Sequence, residues 1–210
     1  MKLFRRKYDP QTGTRAVAAQ HRGHLASSTH RVTLELARAE TFAAMLANSR
    51  ASQVIEVSDL LAGMYICNWD RLSLYWQEED RDEIETFLRG ICRISPERWH
   101  SWMEIYDSLR RKGQRWHLLR PLEKLRKSAT GESPLQPSAA LASVLKRAEQ
   151  IAPSRDSVGG HDIPILTSEC VLLCIVRSFG SEVTRKLAST GLDADRLERD
   201  ALFPRRAPLT

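Results

Sequence analysis

The sequence predicts an all-α fold made of two pseudo-symmetric helical repeats, about four to five helices each. Two apolar helices and one internal correspondence predict it. The first helix starts at Ser58-Asp59 and runs through LLAGMYICNW. The second starts near Ser168 and runs through CVLLCIVR. Both are too apolar for a one-stripe surface helix, so each is expected to be buried on most sides. The correspondence links the halves. Leu36 and Arg38-Ala39-Glu40 match Leu145 and Arg147-Ala148-Glu149 at an offset of 109, and Ser58-Asp59 matches Ser168-Glu169 at 110. Ile94 to Trp99, ISPERW, matches Leu192 to Leu197, LDADRL, at 98. Loops of unequal length account for the drift. The expected division is a basic arm over 1–32, repeat 1 over 33–112, a basic helix and linker over 113–137, repeat 2 over 138–204 and a tail over 205–210.

Residues 1 to about 30 show no sustained apolar period; Pro10, Gly13, Gly23 and Ser27-Ser28-Thr29 mark loop. Leu34, Ala37, Phe42, Met45 and Leu46 then lie at helical spacing, with Ser28 or Thr29 as the candidate cap. Gly63, inside the first apolar helix, predicts a close backbone approach to a neighbour. After the acidic WQEEDRDE comes a helix over Asp82–Gly90, with Ile84, Phe87 and Leu88 inward. Ser95 caps the next, with Pro96 at its first position. Trp99, Trp102, Met103, Ile105, Tyr106 and Leu109 give it a heavy apolar face, read either as core or as an aromatic docking surface. A further helix over Gln114–Lys127, broken at Pro121, leads into the linker SATGESPLQP. Repeat 2 opens with LASVLKRAEQI, continues through the second apolar helix capped by Thr167 or Ser168, and then a helix that Gly191 can end. Asp193 caps the last helix, which carries Leu197 and Leu202.

The chain has 210 residues, of which 42% are apolar and 28% charged, inside the globular range. No apolar run approaches the roughly 18 to 20 residues of a membrane span. The basic Met1 to Lys7 precedes no apolar segment of the kind a leader carries, so a cytoplasmic protein without a membrane partner is expected. Cys67, Cys92, Cys170 and Cys174 are read as buried free thiols of a reducing compartment. The net charge of +6 is uneven: Met1–Thr33 carries seven basic residues and one acid, and Asp107–Lys127 eight and two, so the rest sums to −6. That asymmetry permits an anionic partner.

These residues carry a resemblance. Thr167-Ser168-Glu169 opening a helix that runs into Leu172-Leu173, a helix ending near Gly191, and then Leu192-Asp193-Ala194-Asp195-Arg196-Leu197 resemble one repeat of the N-terminal domain of Clp-type AAA+ chaperones. LASVLKRAEQI is similar to the family's first repeat helix. The family usually has Glu-His before its Leu run; here the pair is Glu169-Cys170. The resemblance implies two repeats packed into one domain, free-standing and without the motor, since no GxxxxGK[ST] occurs. It implies a non-enzymatic module that binds a protein or peptide: a substrate, an adaptor or the Clp-type machinery itself. It also implies a carboxylate at the surface near the repeat axis, at the start of each buried helix. In repeat 2 that is Glu169, and in repeat 1 Ser58 or Asp59. In some members such carboxylates receive phosphorylated arginine. The family's apolar grooves hold unfolded segments or adaptors; the candidates here are Trp69 to Trp76 and the helix bearing Trp99 and Trp102.

A second class of function rests on Arg110, Arg111, Lys112, Arg115, Trp116, Arg120, Lys124, Arg126 and Lys127, a basic run with an interleaved aromatic that suits nucleic acid. Solvated helix charge is the plainer account of it. No catalytic, cofactor or metal constellation is expected. GxSxG, HExxH and CxxC do not occur, and Cys170 and Cys174 read as a core pair. His21, His24 and His30 lack a Cys or acid at ligand spacing, and His161-Asp162 reads as a loop pair.

Overall fold

A computed structural model describes residues 31–76, 81–111, 135–153, 155–158, 161–178 and 182–203. They form eight α-helices and five short strands. The expected helical character holds. In the first half, β1 is Arg31–Val32, α1 Leu34–Ser49, β2 Val54–Ile55, α2 Val57–Leu72, α3 Arg81–Cys92 and α4 Pro96–Arg111, with a 3-10 turn over Ser73–Tyr75. In the second, β3 is Gln136–Pro137, α5 Ala139–Ile151, β4 Arg155–Val158, β5 His161–Leu166, α6 Ser168–Val176, α7 Glu182–Ser189 and α8 Ala194–Leu202.

The two apolar helices lie where their composition demands. α2 packs on α1, α3, α4 and α6; α6 packs on α5, α7, α8 and α2. Leu60, Ala62 and Met64 of α2, and Cys170, Val171 and Leu172 of α6, have no exposed surface. Gly63 makes the close approach that its place in an apolar helix predicted. A Cβ there would press into the Ala39 carbonyl oxygen and come within 3.2 Å of the Ala43 nitrogen, so α1 and α2 cross on small residues. α2 breaks its helical path at Asn68, with φ −139° and ψ 23°. The Cys67 carbonyl beside the break accepts a hydrogen bond from the Tyr106 hydroxyl of α4 instead.

Helix ends follow the local chemistry. Ser138, Thr167 and Asp193 cap α5, α6 and α8, each accepting a hydrogen bond from the backbone N–H three residues on. Ser95 does the same for α4, accepting from Arg98 N at 3.3 Å. Gly191 sits at φ 67° just beyond α7, the left-handed position that its identity predicted. The first helix departs from expectation: Thr33 holds its N-cap position without a side-chain bond, and Ser28 and Thr29 lie outside the described residues.

The few short strands are the elements that the all-α reading did not include. β4 and β5 form an antiparallel hairpin with Arg155 opposite Pro164 and Val158 opposite His161. His161-Asp162 is therefore strand, not loop. β1 joins β5 in parallel, with Val32 opposite Leu166, and Thr33 N donates to Leu166 O at 2.9 Å. β2 joins β3 in parallel, with Ile55 opposite Pro137, and Ser138 N donates to Ile55 O at 2.9 Å. The strand entering α1 thus pairs with the strand entering α6, and the strand entering α2 pairs with the strand entering α5.

Candidate functional site

The carboxylates at the two helix starts are buried, not surface groups as the resemblance implied. Asp59 is 0% and Glu169 2% exposed. A buried carboxylate needs a partner, because desolvation penalises the charge. Asp59 receives both guanidinium nitrogens of Arg50, at 2.5 and 2.7 Å, and the Glu56 backbone N–H at 2.9 Å. The hydrogen bond to Asp59 raises the Arg50 pKa above its ordinary value. Glu169 is paired with Arg71 from the far end of α2, so this ion pair joins the two halves. Both acids therefore hold helix junctions together.

The seam around Glu169 has further polar ties. The Tyr75 hydroxyl donates to Asp200 at 3.2 Å, and Arg196 donates to the Leu74 carbonyl at 2.8 Å. Burial first, then the charges of Glu169 and Asp200, push the Tyr75 hydroxyl well above its usual range. Arg71 has 57% of its side chain exposed, whereas Glu169 is enclosed. Removing the arginine leaves a buried charge; removing the acid leaves a guanidinium that water can solvate. Arg71→Met is therefore expected to cost about 2–4 kcal/mol and Glu169→Gln markedly less. Urea denaturation of the two single variants and the double variant measures the difference, and equal single losses would contradict it.

Trp76, Trp99 and Trp102 are core residues. Trp99 is 1% exposed and packs on Tyr65 with ring centroids 5.6 Å apart. Trp102 is buried under Arg98, whose guanidinium lies 5.6 Å from its ring. Trp76 is buried and donates its indole N–H to Thr190 at 3.0 Å, another link between the halves. The aromatic docking surface expected on Trp76, Trp99 and Trp102 is thus corrected to internal packing: indole area is the largest apolar payload in the chain, and folding spends it inward. Trp69 lies on α2, its side chain outside the described residues. Arg110 and Arg111 end α4, and Lys112, Arg115, Trp116, Arg120, Lys124, Arg126 and Lys127 lie outside the described residues, as do His21, His24 and His30.

The four thiols are buried. Burial, reinforced by Asp59, pushes Cys92 up to about 12; burial, reinforced by Cys170, pushes Cys174 up to about 11. Burial also raises Cys67 and Cys170. An unfolded thiol titrates near 8.5. The native state thus keeps protons that the unfolded state loses above that value. The stabilisation is full below about pH 8.5 and is lost as pH rises toward about 11. The urea midpoint is expected to fall between pH 8 and pH 10.5, and the Cys92→Ala/Cys174→Ala variant to fall less. Among the described residues, no three His, Cys, Asp or Glu side chains gather where they could hold a metal.

A groove of about 470 Å³ opens at the junction of the halves. Val57, Val144, Ile175 and Val183 line it, and they are buried or half-buried. Glu56 before α2 and Ala140, Ser143 and Arg147 on α5 stand exposed around it, with Ser58 half-buried beside them. Ser58 is the one sequence candidate that the groove collects. Its neighbours Glu56, Ser143 and Arg147 were missed as site residues. Arg147 was visible only as part of the internal correspondence, and nothing in its spacing marks a groove. No family model, curated protein or solved structure matches the chain.

Proposed function

We propose that this chain is a non-enzymatic protein-interaction module resembling a Clp-type N-terminal domain, binding a peptide, an adaptor or a component of a chaperone–protease machine. The observation that carries this reading is the groove between the halves, apolar within and polar at its rim, a form that suits a peptide segment. The two-repeat reading has its own support. The parallel pairings are reciprocal, each half lending the strand before its first helix to the strand before the other half's apolar helix. Arg93 and Gly191, 98 residues apart, both take positive φ, at 53° and 67°. At the same offset Ser95 and Asp193 cap the next helices through Arg98 N and Arg196 N, and Trp99 and Leu197 are buried behind them.

The resemblance also suggested a phosphoarginine-receiving role for Glu169 and Asp59. Their pairing with Arg71 and Arg50 weighs against it, because a ligand would have to displace an internal arginine. The alternative partner, nucleic acid, draws on the eight basic residues between Asp107 and Lys127. Titration with an unfolded protein and with single-stranded DNA at 50 and 200 mM salt separates the two. A peptide groove holds most of its affinity in the higher salt, whereas phosphate contacts lose several orders of magnitude across that range. Binding to DNA alone, with that loss, would reject the first reading.

A further inference from the structure

Building on the interaction reading, we infer that the groove between α2 and α5 selects a peptide segment in which a bulky apolar residue stands beside a carboxylate, with Arg147 receiving the carboxylate. Several other cations among the described residues are held by carboxylates. Arg50 is held by Asp59, Arg71 by Glu169, Arg177 by Glu198 and Lys186 by Glu83. Arg147 makes no ion pair or hydrogen bond among the described residues, yet it lines the groove, and its charge reaches Cys174 on α6. An unpaired guanidinium beside a concave apolar surface is a ready receptor for a carboxylate, which it can grip with two parallel hydrogen bonds.

The rest of the lining fits the same occupant. Val57, Val144, Ile175 and Val183 come from four different helices and converge on one concavity, which suits a single leucine-sized side chain and its neighbours. The volume is that of a small-ligand site, too small for a folded partner's whole surface. Ser143 beside Arg147 and Ser58 on the opposite wall offer hydroxyls to a peptide backbone. Glu56, also without an ion-pair partner among the described residues, stands on the α2 wall. It repels a second acid, so the groove distinguishes one end of the segment from the other. A nucleic acid, with phosphates along its whole length, would meet that carboxylate and gain nothing from the apolar lining.

Fluorescence anisotropy with labelled hexapeptides tests this on the full chain. Three amidated peptides carry a central leucine next to Glu, Gln or Lys; a fourth has neutral side chains and a free C-terminal carboxylate beside its leucine. The two carboxylate peptides are expected to bind about tenfold tighter than the Gln peptide, the worth of one charge-assisted contact, and their order tells side-chain from main-chain carboxylate. Arg147→Glu reverses the preference toward Lys. Ser143→Trp, at an exposed position, fills the groove and removes binding of all four. Should Ser143→Trp fail to fold, the Arg147→Glu reversal still decides. If unfolded protein binds while the hexapeptides do not, or if neither substitution alters their binding, the groove assignment is wrong and the interaction reading stands. If neither unfolded protein nor any hexapeptide binds, both fall together.

Discussion

Arg50→Met is expected to lower unfolding stability by about 3–5 kcal/mol, the usual loss when one partner of a buried ion pair is removed. Asp59 has no exposed surface, and Arg50 supplies two of the three hydrogen bonds to its carboxylate. The arginine also reaches the Cys92 carbonyl at 3.4 Å, so the end of α1, the start of α2 and the end of α3 meet on one guanidinium. Methionine keeps the apolar stem and deletes the charge, which leaves Asp59 enclosed with only the Glu56 N–H. Asp59→Asn added to Arg50→Met should recover part of the loss, because the amide can be buried more cheaply than the carboxylate. Urea melts of the four proteins complete the cycle. A loss below about 1 kcal/mol would mean that water reaches Asp59, as it reaches an ordinary surface pair.

Gly63→Ala and Gly90→Ala are expected to move stability in opposite directions, although both replace a glycine inside a helix. In an exposed helix the exchange gains about 0.5–1 kcal/mol, because alanine loses less backbone freedom on folding. Gly90 lies in α3 with no atom within 4 Å of the position of a Cβ, so that gain is the expected result there. At Gly63 the new methyl meets backbone atoms of Ala39 and Ala43, which cannot swing aside as a side chain would. α1 and α2 must separate along a crossing that small residues made tight, and overpacking of this kind costs about 1–3 kcal/mol before the propensity gain is subtracted. Thermal denaturation of the pair reads the sign directly. A stabilised Gly63→Ala protein would show that the two helices do not touch there.

Much of the helical skeleton was legible because its signals are local. An apolar run such as CVLLCIVR has no exposed face to offer, so it becomes an interior helix wherever the chain places it. Ser95, Thr167 and Asp193 are caps because their oxygens reach the backbone N–H three residues on, a distance set inside one turn. Gly63 and Gly191 announced a close crossing and a left-handed turn for equally local reasons. The strands were not legible. β1, β2 and β3 are two residues long, too short to show a period, and each exists only because a segment far away in the chain lies beside it. β4 and β5 have between them in sequence only the pair Gly159-Gly160, which marks a turn without naming the strands that flank it, and His161-Asp162 read as a loop pair.

The candidate site divides in the same way. That Glu169 and Asp59 begin apolar helices, and that the chain holds two such helices, followed from the order of residues alone. Whether those acids face water depended on Arg71 and Arg50, and whether the indoles of Trp76, Trp99 and Trp102 face a partner or the core depended on Thr190, Arg98 and Tyr65. The contacts of Trp76 with Thr190 and of Trp99 with Tyr65, and the pairing of Glu169 with Arg71, join groups that the chain order does not bring together. The groove is the extreme case, since residues 56, 147 and 183 come from three separate segments. Order along the chain determined which stretches coil and where they stop, because those interactions close within a few residues. Tertiary structure alone decided which charges are paired and which side chains remain open to a ligand, because solvation and pairing depend on what the rest of the molecule brings alongside.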